Sequence, residues 1–277
     1  MSTRDHLEAH ADRAEPVRDL AARGASLGGA ALFGLRADAL ALPDADLRDA
    51  AFDDARLTDC DLTGARLDGA TFDRARLSRC DLRRANAHRP RFREAHLEAT
   101  SLQHATLREA DFSAARLTDV QFEAADLSGA RFTGATLEAT RFAGALLHGA
   151  DFTGAHLDGT DFTGAHLDGA DFTGAHLDGT PIGDAHLDGA LFTGARDNSA
   201  QSPGVPLGGP LFADPRHGNA RPAATQPDGA IRAEPKRDSA RSPDARLDRA
   251  LFADPRRGNA RPTATQPDPM PSTDAPP

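Results

Sequence analysis

Tryptophan and tyrosine are absent from this chain, lysine occurs once, at Lys236, and cysteine only twice, at Cys60 and Cys80. Two cysteines in 277 residues do not make a disulfide framework. No apolar run approaches the roughly 18 residues of a membrane helix. The opening Met1-Ser2-Thr3-Arg4-Asp5-His6 has no apolar leader segment. A soluble, cytoplasmic protein is expected, with export by a leader-independent secretion system left open. Catalytic signatures are missing as well: no phosphate-binding loop, no Gly-x-Ser-x-Gly elbow, no His-Glu-x-x-His pair and no dinucleotide-binding glycine motif. An enzyme is not expected, nor are catalytic residues, metal ligands or cofactors. The net charge of −10 argues against direct nucleic-acid binding.

What the chain does contain is a repeat. Large apolar residues occupy every fifth position, from Leu47, Phe52, Leu57 and Leu62 through to Leu177, Ile182, Leu187 and Phe192, broken only at Ala87. Two residues before each stands a small residue, usually Ala, and the other three positions are polar or Gly. Neither a 3.6-residue helix nor a two-residue strand holds a five-residue period in register. A chain that turns a corner every five residues does, with two side chains inward and three outward on each edge. Four such edges close one coil. Phe recurs at every fourth unit, in Phe52, Phe72, Phe92, Phe112, Phe132, Phe152, Phe172 and Phe192. The small position repeats likewise as Cys60, Cys80, Thr100, Val120, Thr140, Thr160 and Thr180. Stacking at this interval implies coils one parallel-strand spacing apart, about 4.8 Å. The expected core is the Phe column together with Leu57, Leu77, Leu97, Leu117, Leu137, Leu157 and Leu177.

Units such as Ala125-Asp126-Leu127-Ser128-Gly129 and Ala155-His156-Leu157-Asp158-Gly159 resemble the A(D/N)LXX signature of pentapeptide-repeat proteins. The resemblance extends over well more than half of the sequence. It implies an all-β fold, a right-handed quadrilateral parallel β-helix with the central and minus-two residues inside. Some members of that family protect DNA gyrase as DNA mimics, and others are associated with secretion.

Residues 1–24 are expected to form an N-terminal helical cap, 25–196 the β-helix and 197–277 a Pro-rich tail. Ser2 and Asp5 suggest a capping box. Leu7, Ala11, Ala14, Val17 and Leu20 suggest a helical stripe that Pro16 splits into two short helices. Ala87 and Pro90 suggest an outward bulge over 84–91. The register also loosens over 35–44, where Leu35 and Leu40 replace the usual Ala and Ala37 stands at a central position. The tail duplicates Leu211-Phe212-Ala213-Asp214-Pro215-Arg216 as Leu251-Phe252-Ala253-Asp254-Pro255-Arg256 and is expected to be disordered.

The candidate interaction surface is two bands of charge. Arg74, Arg76, Arg79, Arg83, Arg84, Arg89, Arg91 and Arg93 cluster in sequence. Asp151, Asp161 and Asp171 belong to a stretch, 143–195, without Lys or Arg. His156, His166, His176 and His186 should stack in pairs, but no closed metal set emerges from them. Cys60 and Cys80 read as small packing residues. The function expected is a non-enzymatic scaffold that presents a rigid surface to a protein partner. A DNA-mimic inhibitor or protector of gyrase or topoisomerase is the alternative, and a secretion-associated effector or adaptor a third. Homodimerisation through the C-terminal end of the solenoid is also open.

Overall fold

A computed structural model describes residues 2–197. The chain divides into two units, 1–227 and 228–277; the second, and with it most of the duplicated tail, lies outside the described residues. Within the first unit a single helix, α1 (Thr3–Arg13), precedes nine three-residue strands. These are β1 (Pro16–Arg18), β2 (Arg36–Asp38), β3 (Arg56–Thr58), β4 (Arg76–Ser78), β5 (Asn86–His88), β6 (His96–Glu98), β7 (Thr106–Arg108), β8 (Arg116–Thr118) and β9 (Thr136–Glu138). All are parallel. Seven form one sheet in the order β1-β2-β3-β4-β6-β8-β9, and β5 pairs with β7.

Every pairing joins residues 20 apart, such as Arg56↔Arg76 and Leu57↔Leu77. Beyond β9 the same face continues through the bridges Thr136↔His156, His156↔His176 and His176↔Arg196. The other three faces carry isolated parallel bridges at the same offset. The result is the four-sided parallel β-helix that the repeat dictates. Between coils, the Leu62 N–H donates to the Asp81 carbonyl at 2.7 Å and the Asp81 N–H to the Cys60 carbonyl at 2.8 Å. Each corner is closed by a residue with positive φ, such as glycine at Gly64 (φ 68°), a polar residue at Asp59 (φ 53°) or alanine at Ala99 (φ 47°). Only that left-handed geometry turns the chain within one residue.

The core is the stack of central and minus-two side chains. Leu57, Leu77, Leu97, Leu117, Leu137, Leu157 and Leu177 are buried, as is the Phe column from Phe52 to Phe172. Consecutive rings lie nearly parallel, with centroids 4.8 to 5.0 Å apart, through to Phe192. A second column, Phe122, Phe142 and Phe162, meets the first edge-on, as between Phe112 and Phe122 at 5.6 Å and 81°. Offset and edge-to-face contacts of this kind add to the burial term. At the last coil, Ile182, Leu187 and Phe192 are only partly buried.

The N-terminal end departs from expectation. The capping box is present, with Ser2 Oγ accepting from the Asp5 N–H at 3.1 Å and Asp5 Oδ2 accepting from the Ser2 N–H at 2.9 Å. Helix α1, however, stops at Arg13, with Ala14 left-handed as its C-cap, and no second helix follows among the described residues. Pro16–Arg18 is already the first rung of the solenoid, paired with β2. Val17 is therefore a central core residue and the β-helix begins near residue 16, not 25. Pro fits there because an end strand has no earlier coil to receive its N–H. Leu7 and Ala11 are buried against the first coils, and Arg4 donates to the Gly28 and Gly29 carbonyls at 3.0 Å.

The two expected irregularities are also absent. Residues 84–91 form no bulge: Asn86–His88 is strand β5, and Ala87 is fully buried in register with Leu107. Pro90 occupies a minus-two position after a strand edge, and its carbonyl still accepts from the Asp111 N–H at 3.0 Å. In the first coils Leu35, Ala37 and Leu40 are all inward. Large and small residues have exchanged places at Leu35 and Ala37, while Leu40 and Leu42 are both large and both buried.

Candidate functional site

Wrapping the chain into four-sided coils sends sequence neighbours to different faces, and this decides the fate of the charged bands. The eight arginines between Arg74 and Arg93 do not form a patch. They encircle the rod, and six of them are held in ion pairs. Arg74 binds Asp54 (2.8 Å), Arg79 binds Asp59 (2.7 Å) and Arg83 binds Asp81 (2.6 Å). Arg89 binds Glu109 (2.7 Å), Arg91 binds Asp73, and Arg93 binds Asp111 (2.6 Å). Two offsets recur: 20 residues for partners directly above one another, and 18 for diagonal partners such as Arg91 and Asp73. Of the eight, Arg76 and Arg84 make no ion pair among the described residues.

The pairs at Asp54, Asp59, Asp81, Glu109 and Asp111 hold their carboxylates in the charged form. Hydrogen bonds from Arg74 and Arg79 put Asp54 and Asp59 below the usual carboxylate range, and Arg48 draws Asp46 down to about 2. At Asp111 burial pushes upward, but Ser113 and Arg93 outweigh it and the net shift is down. The acidic residues of the later coils are structural in a different way. Oδ1 of Asp151, Asp161 and Asp171 accepts the N–H two residues on, from Thr153, Thr163 and Thr173, at 2.8 to 2.9 Å. These Asx turns brace each edge next to its corner.

Four arginines without an ion pair, together with one histidine, form a line. The outward side chains of β2, β3, β4, β6 and β8 at the position before each central residue are Arg36, Arg56, Arg76, His96 and Arg116, in direct register. None of the four arginines forms a side-chain ion pair among the described residues, and all are exposed. The parallel ladder fixes their backbones about 4.8 Å apart. Beside them runs the corner column Asp54, Arg74, Glu94 and Ala114. This column and the ladder from Arg56 to Arg116 line a shallow groove of about 510 Å³, which does not include Arg36. Asp54 is already neutralised by Arg74, so the groove keeps a cationic wall on a chain that is acidic as a whole. His96 titrates below the ordinary imidazole value, first because of partial burial and then because Arg76 and Arg116 flank it.

Among the sequence-derived candidates, only Arg76 lies on this ladder. Arg56, Arg116 and Arg36 escaped the sequence reading because each stands at least one full coil from the next and is isolated in the linear order. Their signal was available: the outward position before Leu57, Leu77 and Leu117 is Arg each time. Asp151 and Asp171 share a face, whereas Asp161 lies on another. The histidine ladders do form, with rings 4.4 Å apart for His156 and His176 and 4.5 Å for His166 and His186. The two cysteines are free and buried, Cys80 donating to the Leu57 carbonyl at 3.4 Å. The hydrogen bond with Cys60, together with burial, pushes the Cys80 thiol well up, which fits a packing role.

Among the described residues, no helix is long and apolar enough to cross a membrane. The family model for the pentapeptide repeat region matches residues 70–152. The model for pentapeptide repeats in eight copies matches 45–84, 145–180 and 155–194. No curated protein matches the sequence. Among solved structures, HetL, a pentapeptide repeat protein involved in heterocyst differentiation regulation in the cyanobacterium Nostoc sp. strain PCC 7120, is 27% identical. The match covers 70% of this chain and 96% of HetL, with a TM-score of 0.35. QnrB1, a plasmid-mediated fluoroquinolone resistance protein, is 23% identical over 58% of this chain and 92% of its own, with a TM-score of 0.43. A pentapeptide repeat protein of the Arabidopsis thaliana thylakoid lumen is 31% identical over 38% of this chain and 70% of its own, with a TM-score of 0.31. With its five-residue register, its four-sided parallel coils and these family matches, the chain belongs to the pentapeptide-repeat family.

Proposed function

We propose that this solenoid is a non-enzymatic docking rod that holds an acidic segment of a protein partner against the arginine ladder. The observation that carries the proposal is the column Arg36, Arg56, Arg76 and Arg116, unpaired in a molecule where most neighbouring arginines have a carboxylate. Like charges held at about 4.8 Å spacing repel one another even in water. An anionic partner relieves that repulsion. The groove is shallow and rigid, as suits protein docking rather than catalysis. A protein is favoured over a nucleic acid because the whole chain carries a net charge of −10 and the ladder is flanked by Asp38, Glu98 and Glu94. Long-range repulsion would oppose a polyphosphate, whereas local complementarity selects a short acidic stretch. The gyrase-mimic reading calls for an unbroken acidic face, and the ladder weighs against it.

The test is fluorescence anisotropy of a labelled, short Asp/Glu-rich peptide with the full chain. Saturable binding that weakens with salt is expected, reduced at least tenfold in R56E/R76E/R116E and little changed in R79E. Undiminished binding by the triple variant, or tighter binding of a single-stranded oligonucleotide than of the peptide, would overturn the proposal.

A further inference from the structure

A second cluster lies on another face of the later coils and does not involve the arginine ladder. His166 and Asp168 flank the inward Leu167 on one edge, and His148 lies in the preceding coil, diagonal to His166 and directly beneath Asp168. One ligand atom from each of the three residues lies within 4.8 Å of the other two. His148 Nδ1 is 3.3 Å from Asp168 Oδ2, and the His148 and His166 rings are 5.7 Å apart, inclined at 50°.

We propose that His148, His166 and Asp168 bind one divalent late first-row transition ion such as Zn²⁺, Ni²⁺ or Cu²⁺. Two imidazoles and a carboxylate are the donor set for such ions and a poor one for Ca²⁺ or Mg²⁺, which prefer all-oxygen shells. The supporting contacts are in place. Asp168 Oδ1 accepts the Asp188 N–H at 3.1 Å, which turns Oδ2 toward His148. His166 is stacked on His186, with ring centroids 4.5 Å apart at 10°. The bridges Leu146↔His166 and His166↔His186 fix the backbones. Orientation of ligands by neighbouring hydrogen bonds is typical of metal sites. Three protein ligands leave coordination positions open to water, the pattern of an accessible rather than a closed structural site. His166 and Asp168 are partly buried and His148 is exposed, so an ion has a route in.

The site differs from a simple histidine ladder. His156 and His176 stack just as closely, with Asp158 and Asp178 beside them, but have no third histidine on the diagonal. Spacing of 18 residues, the offset that joins Arg91 to Asp73, brings His148 to His166.

The experiment is calorimetric titration of the full chain with Zn²⁺ alone and, separately, Ni²⁺ alone, at mildly alkaline pH. One saturable equivalent is expected. H148A and D168N should each weaken it at least tenfold, while H156A/H176A leaves it unchanged. All these residues lie on the outside of the coil, and circular dichroism melts would confirm that the variants fold. Absence of a saturable equivalent in the native chain, or equal affinity in folded H148A and D168N, would overturn the assignment. Loss in H156A/H176A alone would place the ion on the other ladder and overturn it too.

Discussion

The Thr140 hydroxyl reaches back one coil to donate to the Leu117 carbonyl at 3.2 Å. Thr100, Thr160 and Thr180 do the same to Leu77, Leu137 and Leu157. Cys80 places its thiol on Leu57 in the same way. This contact explains why one of the four inward minus-two columns is Thr or Cys where the others are mostly Ala. A buried hydroxyl is tolerated because it has a partner.

Val120 occupies this column but brings no hydroxyl to the Leu97 carbonyl. Val120→Thr keeps the side-chain shape and supplies the donor, so it should stabilise the solenoid by about 0.5–1.5 kcal/mol, the net value of a hydrogen bond. The reverse change, Thr140→Val, should destabilise by a similar amount. Urea denaturation of both variants would check this; a destabilised V120T would show that the donor is not what selects Thr here.

Phe132 stacks between Phe112 at 5.0 Å and Phe152 at 4.8 Å, and meets Phe142 edge-on at 5.6 Å. Its truncation to Ala opens a void in both ring columns and should cost about 3–5 kcal/mol. Phe132→Asp should prevent the neighbouring coils from folding, because a carboxylate would enter the stack without a partner. A thermal melt of either variant that overlays the native curve would refute the packing.

Acid should weaken the fold through the arginine-bound carboxylates. Asp54 and Asp59 are lowered by hydrogen bonds from Arg74 and Arg79, and Asp46 to about 2 by Arg48. A group whose folded pKa is depressed contributes stability that is present above its unfolded value and lost as pH falls through the folded one. The melting temperature should therefore fall progressively from near pH 4 down to about pH 2, the value at Asp46. Each of these exposed pairs contributes little and is screened by salt. Added salt should flatten the pH dependence. A melting temperature independent of pH across that window would count against the pairs.

His96 sits in the middle of the arginine ladder and, held down by burial and by Arg76 and Arg116, is neutral at pH 7. Lowering the pH protonates it and makes the row cationic throughout. Binding of the Asp/Glu-rich peptide should strengthen as pH falls from 7 to 5, and H96Q should abolish that gain while retaining binding at pH 7. Parallel pH profiles for the native chain and H96Q would exclude His96 from the docking surface.

The repeat itself, the inward columns and the four-sided parallel fold were legible in the sequence because a solenoid is nearly one-dimensional. A five-residue period that recurs once per coil specifies which side chains point inward without any long-range information. Local irregularities were harder to judge. Pro90 and Ala87 read as a bulge in the linear order, yet a minus-two proline after a strand edge and a small central residue fit within one coil. Val17 and Leu20 fit a helical stripe, but Val17 has a stronger place as the first central residue, where it buries against the next coil.

The proposed docking surface depended on the third dimension. Eight arginines close in sequence became a belt around the rod, most of them tied to carboxylates in other positions of the same or the adjacent coil. Arg36, Arg56, Arg76 and Arg116, scattered in sequence, became a single unpaired row. His148 met His166 and Asp168 for the same reason. The sequence determined the coil, since its periodicity is local. Only the closed coil decided which charges meet, because each turn separates neighbours along the chain and joins residues a full turn apart.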